Sequence, residues 1–442
     1  MLFVLLIGLI LLLVIAYQFN NKRIFNPSCI ICIVFIFSNL VAIGGNVWWH
    51  YQMHFSTISF IWLSIFIFII GSSISTAIIN YFVNDEEYEN YCKCPQMSFV
   101  IIITVLLLLL STHRIRTVLS GGWQGLASFG SSLKQARDSY FLGRSSSSPI
   151  DAIAMFFSRA VAYICIYKFF YLLVVQKVTD MKKNLYLWLP SIPYLLNAVL
   201  STGRTLLIYY IGYILLVYGI LLTRLLHLSG QTIRRFIRVI SIGILAIFGL
   251  FVGLQYLRQG LHHGDTSIFN ILSTYAGLSI PALDKYLTNG VKHPSIMGTY
   301  TLGNFYDMLK SFGIAAPKVN GALEPVSING YVGNIFTTFR RYVADYSYSG
   351  NYFIMLLLGI ITSLFFNVVF KKKNHQLLLI IYSTLIYPIF EFSIEERFMS
   401  DELGTAPIYN TVALIICWIV LNIISFKAGK YQTLNVVGVD DF

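Results

Sequence analysis

The sequence predicts an all-α fold: a polytopic integral membrane protein with about eleven transmembrane helices and two long extracytoplasmic loops. Three observations predict it. Hydrophobic residues make up 57% of the chain and charged residues 11%, with a mean hydropathy of +0.71, whereas soluble domains are about 25% charged. Apolar runs long enough to cross a bilayer recur along the chain. Many short segments between these runs carry lysine and arginine, as the inner loops of membrane proteins do.

The apolar runs divide the chain into eleven predicted spans. They cover about residues 2–18, 27–45, 57–79, 98–112, 151–175, 186–201, 205–223, 237–255, 350–370, 376–393 and 407–425. The first run has neither a basic leader nor a small-residue cleavage pattern, so it is interpreted as a retained helix rather than a signal peptide. No internal repeat is visible, which disfavours a transporter, since many transporter folds contain repeats.

The short basic segments predict the orientation. They are residues 21–23, 176–183, 223–238, 371–375 and 427–430. Placing all of them inside requires an odd number of spans, with the N-terminus outside and the C-terminus in the cytoplasm. Segment 84–96 is acidic, but acidic residues contribute little to topology. The net charge of +12 is therefore attributed to this inner bias, and nucleic-acid binding is disfavoured because no soluble basic domain is present.

Two long segments remain on the predicted outer face, residues 113–150 and 256–349. Long loops translocate largely regardless of their charge, so their arginines do not contradict this topology. Loops of this length in a compact protein are usually functional. The second contains a half-apolar stretch, 268–287, which is predicted to form short helices against the membrane surface.

The predicted outer face gathers arginines, histidines and carboxylates. The first loop supplies Arg114, Arg116 and Arg137, the second supplies Arg258, His262, His263, Arg340, Arg341 and Asp345, and Arg204 lies at the start of the span 205–223. The planar fork of arginine binds phosphate oxygens in pairs, and histidine or aspartate accepts a proton near neutral pH. Together these groups suit a reaction with a diphosphate leaving group and a hydroxyl nucleophile.

Several charged residues of the predicted outer face also have a simpler interpretation. Arg204 could be an interfacial anchor, because a long cationic side chain can extend to the headgroup region. His262 and His263 could form a solvated pair, and Asp345 could cap a helix or pair with Arg341. The acids Glu395 and Glu396 could be a solvated edge or ion-pair partners of Arg397. A metal site from His262, His263 and Asp265 lacks helical ligand spacing, so no metal or other cofactor is predicted.

Three segments carry a resemblance to a known family. Residues 196–215 place a small polar turn and an arginine before a long helix, residues 273–287 follow a "Y…P…D.Y" pattern, and residues 333–370 follow an "N.(Y/F)T…Y..D.G..G" pattern that enters a span. In these features the chain resembles the bacterial oligosaccharide repeat-unit polymerases, the Wzy-type O-antigen or capsular polysaccharide polymerases. It departs from the third pattern at Ser347, where the family has glycine.

The resemblance implies an enzyme of the bacterial plasma membrane that polymerises undecaprenyl-diphosphate-linked oligosaccharides at the outer face. Arg204, Arg258 and Arg340 or Arg341 would then bind the donor diphosphate, and the first loop, with Arg114, Arg116 and Arg137, would hold the acceptor diphosphate. The general base would be His262, His263 or Asp345. The implied partners are the lipid-linked oligosaccharide, membrane lipid, and a chain-length regulator and flippase of the same pathway.

Two other functions remain open from the sequence. A polysaccharide ligase would share the architecture and the chemistry but deliver the chain to a different acceptor. A lipid-oligosaccharide flippase would need ionisable residues near the middle of its spans, and Arg159 and Lys168 in the span 151–175 are the main charges of that kind.

Overall fold

The predicted fold class is confirmed. The computed structural model describes residues 1–87, 92, 94–118, 148–178, 180–201, 205–225, 249, 253, 273–333 and 335–426. Its α-helices are α1 (Leu2–Phe19), α2 (Pro27–Trp49), α3 (Phe55–Phe82), α4 (Met97–Val118), α5 (Pro149–Val174), α6 (Ser191–Leu200), α7 (Thr205–Leu225), α8 (Ser279–Thr288), α9 (Gly303–Ser311), α10 (Thr338–Lys371), α11 (Gln376–Leu385), α12 (Phe398–Glu402) and α13 (Thr405–Phe426). Eight of these described helices are long and apolar enough to cross a membrane.

Short elements join the helices. 3₁₀-helices cover Met181–Trp188 and Tyr387–Glu391, and a π-helix covers Ser273–Gly277. Strands β1 (Val326–Ile328) and β2 (Tyr331–Gly333) form an antiparallel hairpin. Its two turn residues, Asn329 and Gly330, both have positive φ, 47° and 88°. An Asn-Gly pair is the preferred sequence for such a two-residue turn.

Eight predicted spans coincide with the eight long helices, with span 151–175 ending one residue beyond its helix. Prolines explain where two other spans differ. Span 186–201 is divided between a 3₁₀-helix and α6 because Pro190 lies between them and cannot donate a helical hydrogen bond. The ten residues of α6 rise about 15 Å, half of the hydrocarbon thickness. In span 376–393, α11 ends at Leu385, before Pro388. Span 237–255 falls almost entirely outside the described residues.

Several basic segments that were predicted to share one side lie together at one end of the bundle. We call it the basic end, defined by Arg23, Lys371 and Lys372. The Arg23 guanidinium donates to the Asn367 side chain at 2.9 Å. The Lys372 ammonium lies 2.7 Å from the Glu86 carboxylate, so the acidic loop neutralises part of the basic end.

Helices α3 and α10 make the most extensive contact of any two described helices. Gly71 of α3 and Gly359 of α10 lie against the backbone of the opposite helix. Asn351 donates to Ser64 at 2.9 Å, and Ser363 donates to Ser72 at 2.7 Å. Small residues and interhelical hydrogen bonds are what hold helices together in lipid, where burial of apolar surface gives little gain.

The end of the bundle opposite the basic end is formed by loops and short helices. We call it the loop end, made of residues 273–333, 335–337 and 386–404. The π-helix Ser273–Gly277 and α8 overlap the half-apolar stretch 268–287. They pack on α2 and α3 of the bundle, with Ser38 of α2 donating to the Ala276 carbonyl, so their buried face contacts protein rather than the membrane surface.

Helix α10 contains one non-helical residue, Ser347, with φ 63° and ψ −176°. This is the position where the sequence departs from the glycine of the family pattern. A non-glycine residue in this region costs about 1–3 kcal/mol of backbone strain. The kink separates the first turns of α10, which carry Arg340, Arg341 and Asp345, from the membrane-crossing remainder.

We expect Ser347→Gly to stabilise the protein by about 1 kcal/mol, because the relief of strain exceeds the entropy that glycine adds to the unfolded chain. The measurement is the midpoint of thermal unfolding in detergent. Ser349→Gly is the matched control: Ser349 is helical, so glycine there should destabilise by about 1 kcal/mol. Equal decreases in the thermal midpoint for Ser347→Gly and Ser349→Gly would contradict the backbone strain at Ser347.

Candidate functional site

Two arginines at the loop end are held by carboxylates. The Arg397 guanidinium lies 2.7 Å from Glu395, 3.2 Å from Asp401 and 3.4 Å from Glu391. The Arg341 guanidinium lies 3.0 Å from the same Glu395. The predicted ion pair of Glu395 with Arg397 is therefore present, and Glu395 joins it to α10. These two arginines are already neutralised by protein carboxylates.

Arg340 has a different environment, although it is the neighbour of Arg341. Its side chain points to the other face of α10, and the residue is 5% exposed. The guanidinium donates to the Glu324 carbonyl at 3.2 Å and lies over the rings of Phe336 at 3.5 Å and Tyr286 at 4.5 Å. Its Nε has no hydrogen-bond partner, and no described carboxylate lies within 4 Å. Arg340 is thus a buried cation that forms no ion pair with the residues that the structure describes.

Arg159 of α5 is a second buried cation, and it was not among the predicted site residues. It is 7% exposed, and its guanidinium lies 5.2 Å from the centre of the Tyr163 ring and 5.7 Å from that of Tyr387. Its Nε has no hydrogen-bond partner, and it forms no ion pair within the described chain. The sequence signal that points to it is an isolated charge within an apolar span.

The carboxyl group that interacts with Arg159 is Glu402, at the end of α12. Burial raises the pKa of Glu402 from its usual 4.5 to about 8, although the positive charge of Arg159 acts to lower it. At pH 7 this carboxyl is therefore mostly protonated. The guanidinium of Arg159 keeps its full positive charge next to a neutral acid.

This pKa predicts a pH-dependent stability. A carboxyl with a raised pKa in the folded state contributes stability that is complete below about pH 4.5 and is lost as the pH rises through about 8. Glu402→Gln stays neutral at every pH, so its thermal midpoint should fall less than that of the wild type between about pH 5 and 8.5. The control is Asp307→Asn, at a side chain that is 73% exposed. Parallel curves for wild type and Glu402→Gln would contradict the raised pKa.

Asp345, a predicted candidate for the general base, organises the backbone of a neighbouring loop. Its carboxylate accepts hydrogen bonds from the Thr301 N–H at 2.9 Å, the Thr301 hydroxyl at 2.8 Å and the Tyr300 N–H at 3.0 Å. Glu396 has a similar role, because it accepts from the backbone of Met399 at 2.6 Å and from Tyr342 at 3.1 Å. A catalytic role for Asp345 stays a prediction.

The sequence did not predict two histidine–aspartate pairs that the described residues form. The His54 ring lies 3.0 Å from Asp284, and the His113 ring lies 3.0 Å from Asp151. His113 is in the last turns of α4 and Asp151 is in the first turn of α5. Only Asp284 had a sequence signal, since it is the aspartate of the "Y…P…D.Y" pattern.

The other predicted site residues divide into two groups. Arg114 and Arg116 lie in the last turns of α4, on a different element from Arg340 and Arg341. Five predicted residues lie outside the described part of the chain: Arg137, Arg204, Arg258, His262 and His263. Within the described residues, no group of three or more His, Cys, Asp or Glu side chains could hold a metal ion.

Comparison with protein-family models, with curated proteins and with solved structures finds no match for this chain.

Proposed function

We propose that this protein is a glycosyltransferase of the bacterial plasma membrane that polymerises undecaprenyl-diphosphate-linked oligosaccharide repeat units. The growing glycan would be transferred from its lipid diphosphate to a hydroxyl group of a new lipid-linked unit, on the extracytoplasmic side. The resemblance of three sequence segments to repeat-unit polymerases supports this choice of reaction.

The observation that carries the proposal is the pair of buried arginines, Arg159 and Arg340, neither of which forms an ion pair with a carboxylate of the described residues. An uncompensated cation in a low-dielectric interior is costly. A lone arginine within the hydrocarbon region costs about 2.5–3.5 kcal/mol or more. An anionic ligand would remove this cost. Both guanidinium groups face residues of the loop end: Arg159 lies near Tyr387, and Arg340 lies over Phe336.

The chemistry of the transfer explains why arginine suits this position. As the bond from the anomeric carbon to the diphosphate breaks, negative charge develops on the leaving oxygen. Fixed guanidinium groups stabilise that charge without reorganisation, and arginine forms paired hydrogen bonds to phosphate oxygens. Arg204 and Arg258, which the sequence also predicts as diphosphate ligands, remain part of the proposal.

The test begins with deletion of the gene in its own organism. We expect surface glycans that carry one repeat unit instead of long chains, and recovery of long chains when the wild-type gene is returned. Purified protein in proteoliposomes should then lengthen lipid-linked repeat units without any nucleotide sugar. Accumulation of full-length unligated chains would instead identify a ligase, and repeat units trapped on the inner leaflet would identify a flippase.

A further inference from the structure

The pair His54–Asp284 has the geometry of a proton acceptor held by a buried carboxylate. Asp284, on α8, is fully buried. Its carboxylate accepts a hydrogen bond from the Tyr51 hydroxyl at 2.8 Å and contacts the Nδ1 of His54 at 3.0 Å. It also contacts the backbone N–H of His54 at 3.3 Å from both oxygens. The Asp284 carboxylate therefore contacts both the backbone N–H and the side chain of His54.

This arrangement favours one tautomer of the neutral histidine ring. An ionised carboxylate only accepts hydrogen bonds, so the Nδ1 of His54 carries the proton that it shares with Asp284. In the neutral ring, the lone pair is then on Nε2. The His54 side chain is 59% exposed, and no described residue forms a hydrogen bond with Nε2. In its neutral form, the ring thus presents an oriented nitrogen lone pair to the outside of the protein.

The contacts of Asp284 are more than a helix cap needs. His54 is the residue that precedes α3, and its backbone N–H alone would satisfy a capping carboxylate. The additional bonds from Tyr51 and from the histidine ring orient an exposed side chain, which costs conformational entropy and adds nothing to the cap. Orientation of an imidazole by a buried carboxylate is the arrangement by which enzymes position a general base.

Helix α8 joins this pair to the buried cation Arg340. The ring of Tyr286, two residues after Asp284, lies beneath the Arg340 guanidinium. Two residues correspond to about 3 Å of helix rise, so the two groups lie at the same level of the loop end, on different faces of α8.

We infer that His54 is the general base of the proposed glycosyl transfer, with Asp284 and Tyr51 as its positioning residues. The inference rests on the proposed function and names its proton acceptor. Nε2 takes the proton of the acceptor hydroxyl as the oxygen forms its bond to the anomeric carbon. The bond from that carbon to the diphosphate breaks, and the diphosphate leaves with the electron pair. The imidazolium then releases its proton to water.

The decisive variant is His54→Asn. The asparagine amide can donate to Asp284 from nearly the position of Nδ1, but it has no group in the place of Nε2. In proteoliposomes supplied with repeat units extracted from cells lacking the gene, we expect kcat to fall roughly 100-fold or more. KM should change by less than about twofold, because a general base acts in the transition state and not in binding. The thermal midpoint should stay within about 2 °C of the wild type, since ΔΔG should be well below 1 kcal/mol.

A second variant and a control complete the test. His54→Ala should regain part of its activity when imidazole is added, because free imidazole can occupy the exposed position. His50→Asn is the matched control: His50 is exposed and has a left-handed backbone, which asparagine accepts, so activity should not change.

The possible results separate this inference from the function on which it rests. A wild-type protein that binds no polyprenyl diphosphate and lengthens no chains overturns both. An active wild type with His54→Asn at more than about a third of its kcat overturns the base alone, since loss of a base costs at least about 100-fold. A folded His54→Ala variant that imidazole does not rescue also overturns it, because a purely structural histidine would give that result.

Discussion

Replacing Arg159 with glutamine is expected to weaken the binding of a polyprenyl diphosphate roughly 100-fold, equivalent to about 3 kcal/mol. The same change should raise the thermal midpoint of the ligand-free protein by about 2 °C. The two effects have one cause. Among the described residues, tyrosine rings and the mostly protonated Glu402 face this buried guanidinium. A bound diphosphate would give it a charge-assisted pair of hydrogen bonds.

The opposite signs of these effects distinguish a binding residue from a structural one. If Arg159 served only to pack between Tyr163 and Tyr387, glutamine would remove the cation–π contacts and lower the midpoint. Binding is measured by titrating detergent-solubilised protein with a polyprenyl diphosphate, and stability is measured on the same preparation. A lower thermal midpoint together with unchanged affinity would contradict the assignment of Arg159 as a diphosphate-binding residue.

The matched control is Arg224→Gln. Arg224 is also a buried arginine, 8% exposed, but it lies at the C-terminal end of α7 and donates to the Val369 carbonyl near the basic end. Arg224→Gln also replaces a buried guanidinium with an amide, but at a position away from the proposed ligand. We expect its affinity for the polyprenyl diphosphate to equal that of the wild type. Arg159→Lys should bind with intermediate affinity, because lysine keeps the charge but not the planar fork.

Hydropathy predicted the membrane helices well because one physical requirement dominates them. A spanning segment must form its backbone hydrogen bonds internally and expose apolar side chains to lipid. Both requirements are visible in the sequence as a long apolar run. The predicted spans and the observed helices differ where a local backbone rule interrupts an apolar segment. Segments 186–201 and 376–393 are apolar enough to be interpreted as spans, but Pro190 and Pro388 interrupt them.

The candidate site was less predictable because ion pairing is decided by tertiary structure. Arg340 and Arg341 are adjacent in sequence and were given the same role. Since α10 begins at Thr338 rather than near residue 350, the two side chains lie about 100° apart around a helix. Arg341 reaches Glu395, whereas Arg340 is buried between aromatic rings. No local pattern indicates which of two neighbouring arginines will meet a carboxylate.

His54 shows a related difficulty. It lies 230 residues before Asp284, and nothing in its immediate sequence distinguishes it from His50. The contact exists because α8 returns to the turn between α2 and α3. The "Y…P…D.Y" pattern in residues 273–287 indicated Asp284, but it could not predict that His54 contacts this aspartate.

The largest expected effect on folding is that of Gly359→Val. A Cβ atom at residue 359 would lie 2.3 Å from the Phe68 carbonyl oxygen of α3, and one at Gly71 would lie 2.4 Å from the Leu356 carbonyl of α10. Both obstacles are backbone atoms, which cannot rotate away as a side chain can. The helices would have to separate, and the bonds Asn351–Ser64 and Ser363–Ser72 would lengthen with them.

We expect Gly359→Val to cost about 3 kcal/mol or more, from overpacking and from the weakened interhelical hydrogen bonds. The result should be a large loss of folded protein in the membrane fraction and a lower thermal midpoint for what remains. Gly303→Val is the control, since the nearest atom to a Cβ there is a Val319 methyl group at 3.8 Å. Gly71→Ala should change the midpoint in the same direction as Gly359→Val, because each glycine admits the backbone of the other helix. Normal abundance and an unchanged thermal midpoint for Gly359→Val would mean that α3 and α10 do not pack at this distance. The positions of Arg340 and Asp345, in the first turns of α10, would then also be in error.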